Sequence, residues 1–218
     1  MGYNVAIDGP AGAGKSTIAK LVAKEKGYIY VDTGAMYRGM AVYFLEQGIR
    51  ADEPDRIIEA CKDADVTIRY EKGVQQIYLN GENITARLRD EEVGNMASLT
   101  SPIPQVREKL LELQRKLAGT QDVIMDGRDI GTCVLPDADV KIFLTASVKT
   151  RAKRRYDELT KKGIACDLDE IARDIEQRDT RDSTREIAPL RQADDAVLLD
   201  SSDMTIAEVV AEIIRLCK

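Results

Sequence analysis

One stretch constrains this chain more than any other: Gly9, Pro10, Ala11, Gly12, Ala13, Gly14, Lys15, Ser16 and Thr17. From Gly9 it reads G-x-x-x-x-G-K-S. The apolar residues Val5 to Ile7 precede it, and a helical pattern of Ile18, Leu21 and Val22 follows, with Gly27 as its stop. Strand, glycine loop and helix in that order separate a phosphate cradle from a chance match. The glycines let successive backbone N–H groups turn toward one anion, and the positive end of the new helix adds to that field. Lys15 is expected to reach the β- and γ-phosphates of a nucleoside triphosphate, and Ser16 to hold Mg²⁺. A glycine-rich turn with a surface lysine is the plain alternative, and the flanking strand and helix argue against it.

Beyond this loop the chain alternates strand and helix signals. Tyr28 to Asp32 reads as a second strand, running into Asp32-Thr-Gly-Ala-Met-Tyr-Arg38 and a helix that Gly48 should stop. Pro54 opens a further helix. The period then changes to two: Val66 to Tyr70, a Lys72-Gly73 turn, Gln76 to Leu79, the hairpin signal Asn80-Gly81, and a return through Asn83, Ile84 and Thr85. This predicts a small antiparallel sheet, a separate acceptor-side subdomain inside a βα-alternating chain. Asp90 can cap the next helix, and a longer helix through Val106, Leu110, Leu113 and Leu117 should stop at Gly119. Strands are expected at Asp122 to Asp126, Val140 to Leu144 and Val197 to Asp200. Thr205 and Glu208 predict a capping box for the last helix.

The implied fold is α/β: a three-layer arrangement on a five-stranded parallel sheet, with a small antiparallel insert and a short helical lid. Residues 1–33, 103–150 and 167–218 form the expected core, 34–102 the acceptor-side region and 151–166 the lid. Ligands in such sheets bind beyond the strand carboxyl ends. The polar clusters Asp8-Gly, Asp32-Thr-Gly and Asp126-Gly-Arg-Asp all fall there.

Composition narrows the chemistry. The 218 residues contain no histidine, which removes histidine general bases, Ser-His triads and histidine-bound metals. Phosphoryl transfer survives, because it depends on positioning and charge neutralisation. A net charge of −6 disfavours a duplex-binding role, so no nucleic-acid partner is expected. The four cysteines are scattered, with no C-x-x-C, which speaks against zinc and against a disulfide framework. No apolar run approaches the roughly 20 residues of a membrane span, and no secretory leader is recognised, so a cytoplasmic protein with no membrane partner is expected.

Several charged residues stand out. Arg38 lies in the first turn of its helix, where the dipole disfavours a cation. It either receives an anion or is a solvated surface residue. Lys149 to Lys162 is strongly basic: a solvated helix face, or a lid that closes over a triphosphate. In the next helix Arg178, Asp182 and Arg185 continue the apolar line of Ile171 and Ile175, with Arg181 beside them. Inward charges need partners. They form either an ion-pair ladder or a cleft in which the arginines meet phosphate and Asp182 meets ribose hydroxyls. Asp129 could accept from the amino group of a base, as carboxylates do with cytosine N4, or pair locally with Arg128. Asp126, at a strand end, is placed to act on Mg²⁺ through water.

Taken together, Gly9–Ser16, Asp32–Arg38, Asp126-Gly-Arg-Asp-Ile-Gly-Thr132, Pro136–Leu144, Arg178–Arg185 and Ala188-Pro-Leu190 resemble the bacterial cytidylate kinases, nearly end to end. The resemblance implies the nucleoside monophosphate kinase fold and ATP-dependent phosphorylation of CMP and dCMP, with Mg²⁺ accompanying ATP. It also implies that the hairpin at 66–85 belongs to the enlarged acceptor-side insert of the bacterial enzymes. By matched motif it places cytosine near Ser98, Arg107, Asp129 and Arg185, the sugar near Arg178 and Asp182, and the acceptor phosphate near Thr33, Arg38 and Arg128. Lys15, Arg128 and one lid arginine would be catalytic; Arg154 is chosen over Arg151 and Arg155. A monomer is expected. UMP, AMP, shikimate or dephospho-coenzyme A as acceptor is the alternative reading.

Overall fold

The computed structural model describes residues 2–217; Met1 and Lys218, the outermost residues of the expected core, lie outside the described residues. In chain order the elements are β1 (Asn4–Asp8), α1 (Lys15–Lys26), β2 (Ile29–Asp32), α2 (Thr33–Glu46), α3 (Pro54–Ala60), β3 (Val66–Glu71), β4 (Val74–Leu79) and β5 (Glu82–Asn83). There follow α4 (Glu91–Thr100), α5 (Pro104–Thr120), β6 (Val123–Gly127), β7 (Val140–Thr145), α6 (Val148–Lys161), α7 (Leu168–Thr184), β8 (Val197–Asp200) and α8 (Ile206–Leu216).

β1, β2, β6, β7 and β8 form one sheet in the order β2-β6-β1-β7-β8, with every pair parallel. Side chains alternate across a strand, and the sheet uses both faces. On β1, Val5 and Ile7 join Ile18 and Val22 of α1 and Val209 and Ile213 of α8 in one apolar layer. Ala6, between them, belongs to the opposite layer with Met36 and Met40 of α2 and Val106 and Leu110 of α5. Two packed layers around one parallel sheet are the expected three-layer fold. α8 begins with the expected capping box: Glu208 N–H donates to Thr205 Oγ1 at 3.3 Å, and Thr205 N–H donates to Glu208 Oε2 at 2.8 Å.

β3, β4 and β5 form the predicted antiparallel sheet, with Asn80 and Gly81 both at positive φ in its second turn. It is a separate sheet without a separate core. Val66, Ile77 and Leu79 are buried in the same cluster as Met36, Met40 and Phe44 of α2.

Two sequence signals were overridden. Gly119 does not stop α5, which continues to Thr120. Ala118 beside it is buried against the core, and packing of an apolar face outweighs the weak propensity of one glycine. Asp90 occupies the position before α4, but its carboxylate accepts no hydrogen bond from the first turn.

Candidate active site

The phosphate cradle grows out of the C-terminal end of β1. Gly9 adopts φ 149°, and a Cβ there would lie 1.9 Å from the carbonyl oxygen of Leu144, so only glycine fits between β1 and β7. α1 starts after Gly14, which is left-handed and supplies no side-chain cap. The orphan amides of the first turn are thus left for an anion. Lys15 is buried, and its Nζ donates to the Pro10 carbonyl at 2.8 Å. Burial, and then the neighbouring Arg128 cation, hold its pKa well below the ordinary lysine value.

A second cationic group faces the first. Arg178 is likewise pushed down, by burial first and then by Arg128, with Arg38 and Arg181 adding to the repulsion. Its Nε is buried with no hydrogen-bond partner among the described residues. Buried cations that repel one another, one with an unmet donor, describe a site that an anion would complete. Arg38 is not a free surface residue: Asp32 caps α2 by accepting from the Ala35 N–H at 2.8 Å and pairs with Arg38 at 3.1 Å. That carboxylate offsets the unfavourable dipole at Arg38.

At the end of β6, the carboxylate of Asp126 accepts from Ser16 Oγ and from the Tyr30 hydroxyl, each at 2.8 Å. Burial and then the nearby Asp32 raise its pKa. The Thr33 hydroxyl donates to the Asp126 carbonyl at 2.7 Å. A P-loop hydroxyl touching a strand-end carboxylate fits Mg²⁺, which is commonly held by one or two protein groups together with water and substrate phosphates.

The third group surrounds Asp129, which is buried and pairs with Arg107 and, at 3.7 Å, with Arg185. Ser98 Oγ is buried without a hydrogen-bond partner among the described residues. The local pairing considered from sequence is not found: Arg128 Nε donates to Asp182 at 2.9 Å, not to Asp129. Adjacent residues at a strand end diverge, so Arg128 and Asp129 face different neighbours. Arg178, Asp182 and Arg185 are not a mutual ladder either. Asp182 goes to Arg128, and Arg185 goes to Asp129 and to Ser101 Oγ at 3.3 Å.

Of the basic run, Arg151 is buried, donating to the carbonyls of Ala146 and Ala11 at 2.8 and 2.9 Å and to Asp179 at 2.5 Å. It ties α6 to the P-loop and to α7. Arg154 reaches the Ser201 carbonyl at 2.7 Å, and Arg155 pairs with Glu158.

One cleft of about 790 Å³ joins these groups. Its walls include residues from Ala11 to Thr17, then Thr33, Arg38, Ser98, Arg107, Asp126, Arg128, Asp129, Arg154, Arg178, Asp182 and Arg185. Every sequence-selected site residue is there except Gly9 and Pro10, the first two residues of the loop. Sequence reasoning assigned no role to Asp32, Tyr30 or Asp8. Asp32 carried a signal, a capping aspartate three residues before Ala35; Tyr30 carried none.

Asp8 accepts from the Ile130 and Gly131 amides at 2.8 and 2.7 Å and so fixes the loop carrying Arg128 and Asp129. Burial lifts its pKa from 3.8 to about 6. The folded state therefore holds this proton more tightly than the unfolded chain. The stability contribution is complete below pH 3.8 and is lost as pH rises through about 6. Relative to Asp8→Asn, unfolding free energy should fall by up to about 3 kcal/mol between pH 4 and 7. Urea titrations of both proteins across that range check this; a constant difference would contradict it.

Comparison with known proteins agrees with this geometry. The profile of the family described as Cytidylate kinase matches residues 5–218. A cytidylate kinase of Caldicellulosiruptor saccharolyticus is 51% identical over 213 residues, covering 98% of this chain and 94% of the relative. One from Lactobacillus johnsonii is 51% identical, covering 96% and 91%. Among solved structures, a gluconokinase from Sinorhizobium meliloti aligns at TM-score 0.50 with 14% identity, covering 98% of this chain and 90% of that one, a likeness of fold alone. An uncharacterized protein from Eubacterium ventriosum aligns at TM-score 0.52 with 14% identity, covering 99% and 97%. With the phosphate loop, the cationic cleft and a full-length match in agreement, the chain belongs to the cytidylate kinase family and is a nucleoside monophosphate kinase.

Proposed function

We propose that the protein transfers the γ-phosphoryl group of ATP to the phosphate of CMP or dCMP, forming CDP or dCDP by direct in-line displacement. The observation that carries the choice of base is Asp129, a buried carboxylate gripped by Arg107 and Arg185 beside the unpartnered Ser98 hydroxyl. A carboxylate there accepts from the exocyclic amine of cytosine, whereas the O4 of uracil would meet acceptor against acceptor.

The acceptor phosphate is anionic at neutral pH, so its oxygen attacks without a general base. The new P–O bond forms as the bond to the β-phosphate bridging oxygen breaks, and ADP leaves. Arg38 and Arg128 hold the acceptor phosphate in line, with Thr33 beside them. The Arg178 Nε, without a hydrogen-bond partner among the described residues, is available to substrate, and Asp182 faces the sugar. The P-loop amides and Lys15 neutralise the transferring oxygens, and pre-placed charge of this kind is usually the largest contributor to rate. Ser16 directly, and Asp126 through water, would hold Mg²⁺, which supplies further charge neutralisation on the β- and γ-phosphates. Residues 151–166 act as the lid, and 34–102 as the acceptor-side region. Arg151 is fixed on the P-loop carbonyl, whereas Arg154 is held at Ser201 beside the cleft and is the lid residue assigned to the γ-phosphate. A monomer in the cytoplasm completes the reading; no described helix is long and apolar enough to cross a membrane.

The test is an acceptor panel of CMP, dCMP, UMP and AMP with ATP as donor and coupled ADP detection. CMP and dCMP should be the preferred acceptors. Preference for UMP would overturn the role given to Asp129.

A further inference from the structure

β2 is one of the two edge strands of the parallel sheet, and edge strands present unpaired backbone groups. Here the antiparallel insert covers them with side chains. The Gln75 amide clamps both backbone groups of Asp32: its Oε1 accepts the Asp32 N–H at 2.8 Å, and its Nε2 donates to the Asp32 carbonyl at 3.1 Å. Two residues earlier, at the strand period, the Tyr70 hydroxyl donates to the Tyr30 carbonyl at 3.0 Å. Gln75 and Tyr70 face each other across β3 and β4. The clamped residue is the one whose carboxylate caps α2 and grips Arg38. The insert also packs on α2 itself. A Cβ on Gly39, next to Arg38, would lie 3.2 Å from Ile77 Cγ2, an approach that a side chain there would crowd.

We propose that the antiparallel insert is a positioning device for the acceptor phosphate, in which Gln75, assisted by Tyr70, fixes the β2 edge at Asp32 so that Asp32 holds Arg38 in line. Gln75 touches no substrate. It acts through the backbone of Asp32 and then through the Asp32–Arg38 ion pair. This rests on the reading of Arg38 as a phosphate-binding residue, but not on the identity of the base.

The test compares Gln75→Ala, Gln75→Glu and Tyr70→Phe with the unaltered enzyme, using whichever monophosphate the wild type prefers. Gln75→Ala should raise KM for that monophosphate about tenfold, the scale of the net hydrogen bonding removed. Its kcat and its KM for ATP should stay within about twofold, the signature of lost acceptor binding alone. Gln75→Glu keeps the acceptor for the Asp32 N–H but sets a carboxylate oxygen against the Asp32 carbonyl, so it should rescue only partly. Tyr70→Phe should show a smaller rise of the same kind. Hydrogen exchange at the Asp32 amide should accelerate in Gln75→Ala whether or not its melting temperature moves. An unchanged acceptor KM, or equal rises in KM for both substrates, would overturn the proposal. A wild type that prefers UMP would overturn the CMP reading while leaving this comparison intact.

Discussion

Replacing Lys15 by alanine should lower kcat by about 10²–10³-fold, the range seen when one preorganised charge-stabilising donor is removed. Lys15 is buried at the mouth of α1 and donates to the nearby Pro10 carbonyl. Its cation carries a desolvation cost in the free protein, aggravated by Arg128, so the site is built for the triphosphate that relieves both. Removing that charge relieves its burial and the repulsion from Arg128, but takes from the buried Asp8 and Asp126 a cation that favours their ionised forms. These effects oppose one another, so the variant should fold with a melting temperature close to that of the wild type. Turnover by coupled ADP detection, alongside thermal melting by circular dichroism, separates the two effects. Full turnover in a folded Lys15→Ala protein would remove the P-loop lysine from the mechanism.

The second large effect is expected at Asp129. Asp129→Ala should reduce kcat/KM for CMP by about 10²-fold or more, since it deletes the acceptor for the base amine. The same change leaves Arg107 and Arg185 as buried cations without their carboxylate, which costs about 3–5 kcal/mol of stability. A fall in activity alone would therefore be ambiguous. The deciding quantity is the ratio of CMP to UMP efficiency, which should shrink, because a general loss of folding affects both substrates equally. Asp129→Asn retains the volume and adds a donor that can face uracil O4, so it should narrow the ratio with less damage to the fold. Equal losses on CMP and UMP in both variants would make Asp129 a structural anchor.

Asp129 also shows where sequence reasoning stops. Its role as a base-facing carboxylate could be proposed from the strand-end cluster, but spacing could not name its partners; only the family resemblance grouped Arg107 and Arg185 with it. Arg107 comes from α5 and Arg185 from the end of α7, and no periodicity links either to β6. Arg178 and Asp182 lie on α7 as expected, but Arg185 falls just past its end at Thr184 in extended backbone, and spacing left open whether the three form a ladder or line a cleft. In the fold each carboxylate takes an arginine from elsewhere, and the Arg178 Nε is left without one. Similarly, Tyr30 is an ordinary strand residue in the sequence. Only the register of β2 on β6, with Asp32 opposite Asp126, brings its ring to the Asp126 carboxylate.

The glycine loop, the order of strands and helices, the antiparallel insert and the capping box of α8 were determined by the sequence alone. Each depends on interactions among residues a few positions apart: a permitted φ, a side chain reaching its own helix end, a period of two or 3.6. Tertiary structure decided which charges are partnered and which remain for a ligand, that the insert shares its core with α2, and that Gln75 grips the edge of β2. Those outcomes depend on distances between segments far apart in the chain, and burial amplifies them, because a charge removed from water must find its counterpart wherever the fold has put one.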